Sequence, residues 1–160
     1  MSVPLAPIEC KKARANACRT GRQCSPIHST GGAEQGKAMI NVDMIQKAIA
    51  AHANWKARLR TAIDTGKFDG TAATVKLDNQ CEFGKWLYGA DFSADEKKTA
   101  NYRTAVDLHA KFHREAAQVV EWATSGQKDA AAQAMGLEGS YTKASTVLTK
   151  ELIQWRLTLS

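Results

Sequence analysis

Tyr102, Val106, His109, His113, Ala116, Val120 and Ala123 follow one another at alternating steps of four and three residues. That spacing puts side chains on one stripe of an α-helix and turns the stripe toward neighbouring helices, whereas a strand of period two would scatter the same residues over both faces. Two further stretches supply matching stripes. Val42, Ile45, Ile49, Trp55, Leu59 and Ile63 recur at three- and four-residue steps with His52 among them, and Tyr141, Ser145, Leu148, Leu152, Trp155 and Leu159 repeat the alternation near the C-terminus. Such stripes are buried only against one another, so the expected fold is an all-α bundle over residues 39–160, with a short helix carrying Cys81.

Punctuation residues set the expected boundaries. The first helix runs from Val42 to about Thr65 and is closed by Gly66, and a loop through Phe68 and Gly70 follows. Asp78 is placed to cap a short helix from Asn79 to about Tyr88, ended by Gly89, with Cys81 in its first turn. Ser93 or Asp95 opens the long helix with the two histidines. After Ser125 and Gly126 a last helix reaches the C-terminus, its first half weakened by Gly136 and Gly139.

Residues 1–38 are of another kind. All three prolines fall within the first 26 residues, and Gly, Ser, Thr, Lys and Arg dominate where large apolar residues are few. Such a segment buries too little surface to offset the entropy of ordering, so a disordered basic tail is expected. Met39 begins a segment that would make a sensible start of its own. The tail also takes most of the formal charge of +6, with six Lys/Arg against Glu9 and Glu34. The remainder carries sixteen basic and fourteen acidic residues in mixed order, an ordinary solvated surface that does not call for nucleic acid. No apolar run is long enough to span a membrane, and the opening residues lack the order of a signal peptide, so a cytoplasmic protein is expected.

Cysteines stand at positions 10, 18, 24 and 81, which leaves one in the folded part and no disulfide within it. His109 and His113, spaced i and i+4, lie about 40° apart around a helix axis and ~6 Å along it, near enough for both imidazoles to reach one ion. His52 can add a third ligand from the first helix and Cys81 a fourth. A histidine on an apolar stripe is more often a hydrogen-bonded core residue, and a buried cysteine more often a small hydrophobe. The metal reading rests on the combination, because several imidazoles buried without partners would be costly. Three imidazoles and a thiolate suit zinc, or copper, better than magnesium or calcium. The inward Glu-x-x-His pairs of a di-iron bundle are missing. Asp78 and Asp107 are near enough in sequence to accept from imidazole N–H groups.

Two other chemistries are open. Cys10, Cys18, Cys24 and His28 are spaced C-x7-C-x5-C-x3-H, which fits zinc fingers that bind single-stranded RNA, although no aromatic residue is present there to stack on bases. A zinc hydrolase would need an open coordination position and a carboxylate base, for which Glu82 and Glu115 are the near candidates.

His52 with Trp55 and Lys56 in HANWK, the run Cys81-Glu82-Phe83-Gly84-Lys85-Trp86-Leu87-Tyr88-Gly89, and His109 and His113 in LHAKFH resemble the chemoreceptor zinc-binding (CZB) family over about residues 42–155. The resemblance implies a four-helix bundle with an additional short helix that carries the cysteine ligand, zinc as the metal, His52, Cys81, His109 and His113 as its ligands, and a regulatory rather than enzymatic role. Members usually accompany bacterial chemoreceptors or diguanylate cyclases and respond to zinc or to oxidants such as hypochlorous acid. A homodimer and a signalling partner of that kind are implied in turn. No signalling or GGDEF-type catalytic domain accompanies the bundle in this sequence.

Overall fold

The computed structural model describes residues 40–159. The expectations for residues 1–38, including the Cys10, Cys18, Cys24 and His28 motif, lie outside these residues. Among the described residues every regular element is helical, in six α-helices: α1 Val42–Thr65, α2 Ala72–Lys76, α3 Glu82–Tyr88, α4 Ala100–Thr124, α5 Lys128–Ala134 and α6 Ser140–Leu157. None is long and apolar enough to cross a membrane.

Capping groups satisfy terminal backbone groups at both ends of α1 and at the start of α4. Asn41 accepts from the Met44 N–H at the start of α1, and Gly66, at φ 69°, returns its N–H to the Ala62 carbonyl at the end. Thr99 caps α4 by accepting from the Tyr102 N–H.

Four boundaries differ from the sequence reading. The stretch expected as loop after Gly66 contains α2, fixed by a reciprocal capping box between Thr71 and Thr74. Asp78 does not cap the short helix. Cys81 does, its sulfur accepting from the Gly84 N–H, so α3 starts at Glu82. The helix expected from Ser93 or Asp95 is first a 3-10 turn, Glu96–Lys98, and α4 opens only after Thr99. The single last helix is two, because α5 ends at Ala134 and the chain turns through Gly139, where a Cβ would lie 2.0 Å from the Ala134 carbonyl oxygen.

α4 is central, packing against α1, α2, α5 and α6, and α1 also packs on α3, α5 and α6. Its buried face is therefore wider than one stripe: Ala105, Phe112 and Val119 are fully buried beside Ala116 and Ala123, while Val106 is half-buried. Leu59 and Ile45 of α1 and Leu148, Leu152 and Trp155 of α6 complete the core. One aromatic group ties α3 to the rest. Trp86 meets Phe92 and Trp155, Phe92 meets Tyr102, and the Tyr102 hydroxyl donates to the Leu87 carbonyl at 2.7 Å. Cys81 thus stands at the head of a helix anchored at its far end.

Candidate metal centre

His52 on α1 and His109 and His113 on α4 turn inward from facing helices, with exposures of 3, 0 and 2 %. Their ring centroids are 5.2 Å apart for His52 and His109, 4.6 Å for His109 and His113, and 6.3 Å for His52 and His113, each pair nearly perpendicular. One nitrogen of each ring lies within 4.8 Å of the others. Phe112 meets the His52 ring, Phe83 the His109 ring and Trp55 the His113 ring, giving the group an apolar wall.

The main chain decides which nitrogens face inward. His52 Nδ1 donates to the Ala48 carbonyl at 2.6 Å, and His113 Nδ1 donates to the Val75 carbonyl at 2.7 Å. Each bond puts the proton on Nδ1 and leaves Nε2 with a lone pair, and both Nε2 atoms are buried without a hydrogen-bond partner. The Val75 carbonyl, near the end of the short α2, is a part of the site that the sequence reading did not foresee. Its only signal is the Thr71–Thr74 capping pair, which marks a helix but not what the helix touches.

Cys81 meets the group through His109: its half-buried sulfur is 3.3 Å from His109 Nε2. Adjacent sulfur and nitrogen ligands of a tetrahedral zinc stand about 3.5 Å apart, given bonds of about 2.3 and 2.0 Å. The capping turn holds the sulfur there. Gly84 donates its N–H to Sγ at 3.2 Å, and the close passage of the Asp78 backbone over Gly84 leaves no room for a side chain at that position.

Of the two acids expected near the imidazoles, Asp78 approaches and Asp107 does not. Asp78 Oδ2 is 4.0 Å from the otherwise unpartnered His109 Nδ1 and accepts from the Tyr88 hydroxyl at 2.5 Å. Asp107 is exposed. Glu82 is exposed on the rim of a small cavity whose wall includes His52 and Cys81, and Glu115 lies in a groove with Lys76 and Arg114.

Burial sets the charge of the site. It lowers the His52 pKa to about 4, against the Ala48 bond and with help from His113. His109 falls to about 2, through burial and then the like charges of His113 and His52. His113 is lowered by burial, with the Val75 bond and Asp78 opposing. All three rings are therefore neutral at pH 7, the form that binds metal. The Cys81 thiol is pushed up by burial despite the N–H groups of Gly84 and Phe83, so it keeps its proton until a cation displaces it.

These observations fit a transition-metal ion: buried unpartnered nitrogens, neutral ligands, a neighbouring thiol and an apolar shell. The family model of the chemoreceptor zinc-binding domain matches residues 52–120, a span that opens at His52 and takes in Cys81, His109 and His113. Searches among curated proteins and among solved structures gave no match.

Proposed function

Taking residues 52–120 as a chemoreceptor zinc-binding domain, with zinc as its cofactor, we propose that this chain is a zinc-dependent regulatory module and not an enzyme. His52 and His113 through Nε2, His109 through Nε2 and Cys81 as thiolate hold the ion. The observation that carries this reading is the pair of buried, unpartnered Nε2 atoms facing a third imidazole that touches a thiol. When bound, zinc supplies a positive charge that fixes the thiolate and joins the facing helices. Four protein ligands leave no position for substrate.

The long helices α1, α4 and α6 pack pairwise, and α5 packs against all three, which supports the four-helix bundle. Loss of zinc from such a site loosens contacts between helices rather than within one, and this is the change a partner can read. Cys81 offers a second input. Hypochlorous acid oxidises a thiolate to sulfenic acid, oxygen remaining on sulfur and chloride leaving, and the product is a poor zinc ligand. Because Trp86 and Leu87 are buried, the resulting movement belongs to the capping turn at residues 78–81 and leaves the body of α3 in place. Family kinship supports a cytoplasmic homodimer acting with a chemoreceptor or a diguanylate cyclase.

Elemental analysis of the full-length protein tests the centre. One zinc per chain is expected, retained when residues 1–38 are deleted and lost in the double variant His109→Ala/His113→Ala. Two ions per chain, one of them lost with the deletion, would instead favour the tail motif and its nucleic-acid reading. Zinc retained by the double variant would place the metal elsewhere.

A further inference from the structure

The acid nearest the centre is held by a residue outside it. Asp78 lies in the turn ahead of α3, and its Oδ2 both accepts from the Tyr88 hydroxyl at 2.5 Å and stands 4.0 Å from His109 Nδ1. His52 and His113 have their Nδ1 atoms tied to main-chain carbonyls. His109 does not: its Nδ1 is buried without a hydrogen-bond partner, and the Asp78 carboxylate faces it at 4.0 Å, a short movement outside hydrogen-bond distance. The Asp78 backbone is fixed by its close passage over Gly84. What remains free is the carboxylate, and the Tyr88 phenol selects its direction. Tyr88 ends α3 and is 45 % exposed.

We propose that Tyr88 is a positioning residue for the metal centre: by holding Asp78 beside His109 it keeps the imidazole oriented with Nε2 toward the shared space, so that metal affinity is set partly from the protein surface. The inference rests on His109 being a ligand. A carboxylate that accepts from the Nδ1–H of a ligating histidine fixes the ring and raises its basicity, and losing such a partner costs about 10–100-fold in affinity. Tyr88 acts one contact further out, so its own effect is smaller. Whatever draws the phenol away from Asp78, a bound surface or a modification of the hydroxyl, weakens the metal, and metal binding opposes it by the same factor.

The test is zinc affinity of the full-length protein, measured by competition with a chromophoric chelator, for the parent, Tyr88→Phe, Asp78→Asn, the double variant and His109→Ala. Melting of the metal-free proteins is measured beside it. Tyr88→Phe is expected to lose about 3–10-fold and Asp78→Asn about 10–100-fold. The double variant should be no weaker than Asp78→Asn alone, and the metal-free melting temperature of Tyr88→Phe should match the parent. Parent affinity in Tyr88→Phe, independent losses in the double variant, or a metal-free Tyr88→Phe destabilised enough to account for its loss would each overturn the proposal. Parent affinity in His109→Ala would instead remove the ligand assignment beneath it.

Discussion

Gly84 sits directly under the main chain of Asp78: a Cβ on Gly84 would fall 1.8 Å from the Asp78 carbonyl oxygen. Backbone rather than a flexible side chain fills that space, so the turn at residues 78–81 must move if the glycine is replaced. Gly84→Ala should cost about 1–3 kcal/mol in stability and weaken zinc binding, since the same turn aims Cys81 and Asp78. Urea melting and chelator competition measure the two effects, and unchanged zinc affinity would show that the turn does not set the centre.

In the proposed centre the ligands come from α1, α4 and the head of α3 and bind well only in the folded chain, so zinc bound there would stabilise the fold. At free zinc about 1,000-fold above the dissociation constant the gain is about 4 kcal/mol, which corresponds to more than about 10 °C in melting temperature for a domain of this size. Chelator should remove that gain, and His113→Ala should show a similar fall. Cys81→Ala should weaken zinc without abolishing it, because three imidazoles remain. Identical melting of apo and holo protein by calorimetry would contradict the assignment.

The buried imidazoles give the metal-free protein a directional pH response. Unfolded histidines take up protons near pH 6.5, while burial holds His52 to about 4 and His109 to about 2, with His113 also lowered. The unfolded state therefore binds more protons below pH 6.5, and stability present above that pH is lost as pH falls toward 4. Each histidine contributes a slope of up to about 1.4 kcal/mol per pH unit. Urea midpoints of the metal-free protein at pH 7.5, 6 and 5 should decline steadily. A flat profile would mean that the rings are not held neutral by burial.

Trp155 joins α6 to the aromatic group that anchors α3, and it is 2 % exposed. Trp155→Ala should cost about 3–5 kcal/mol. Because the residue stands apart from the imidazoles, zinc stoichiometry at low temperature should be preserved. Loss of zinc in a variant that still shows parent helicity by circular dichroism would mean that the aromatic anchor also holds the centre together.

Much of the site could be read from spacing. His52, His109 and His113 lie on the stripes that periodicity assigns to the core, and all three are buried and brought together. Cys81 was misplaced by only one structural role, from the first turn of its helix to its cap. The larger departures are at Ala72–Lys76, where a five-residue helix is too short to show a period, and at Gly139, where two weak glycines in an apparent helix proved to be its end.

The residue pattern dictates which faces are buried and therefore that these imidazoles leave water together, because periodicity records each side chain's preference between solvent and core. It says nothing of what each ring nitrogen meets. That depended on chain segments distant in sequence coming into contact, as when the Val75 carbonyl reaches His113 across 38 positions or the Tyr88 hydroxyl holds Asp78 near His109. Hydrogen bonds of this kind depend on ångström distances between backbones, which exist only once the helices have packed.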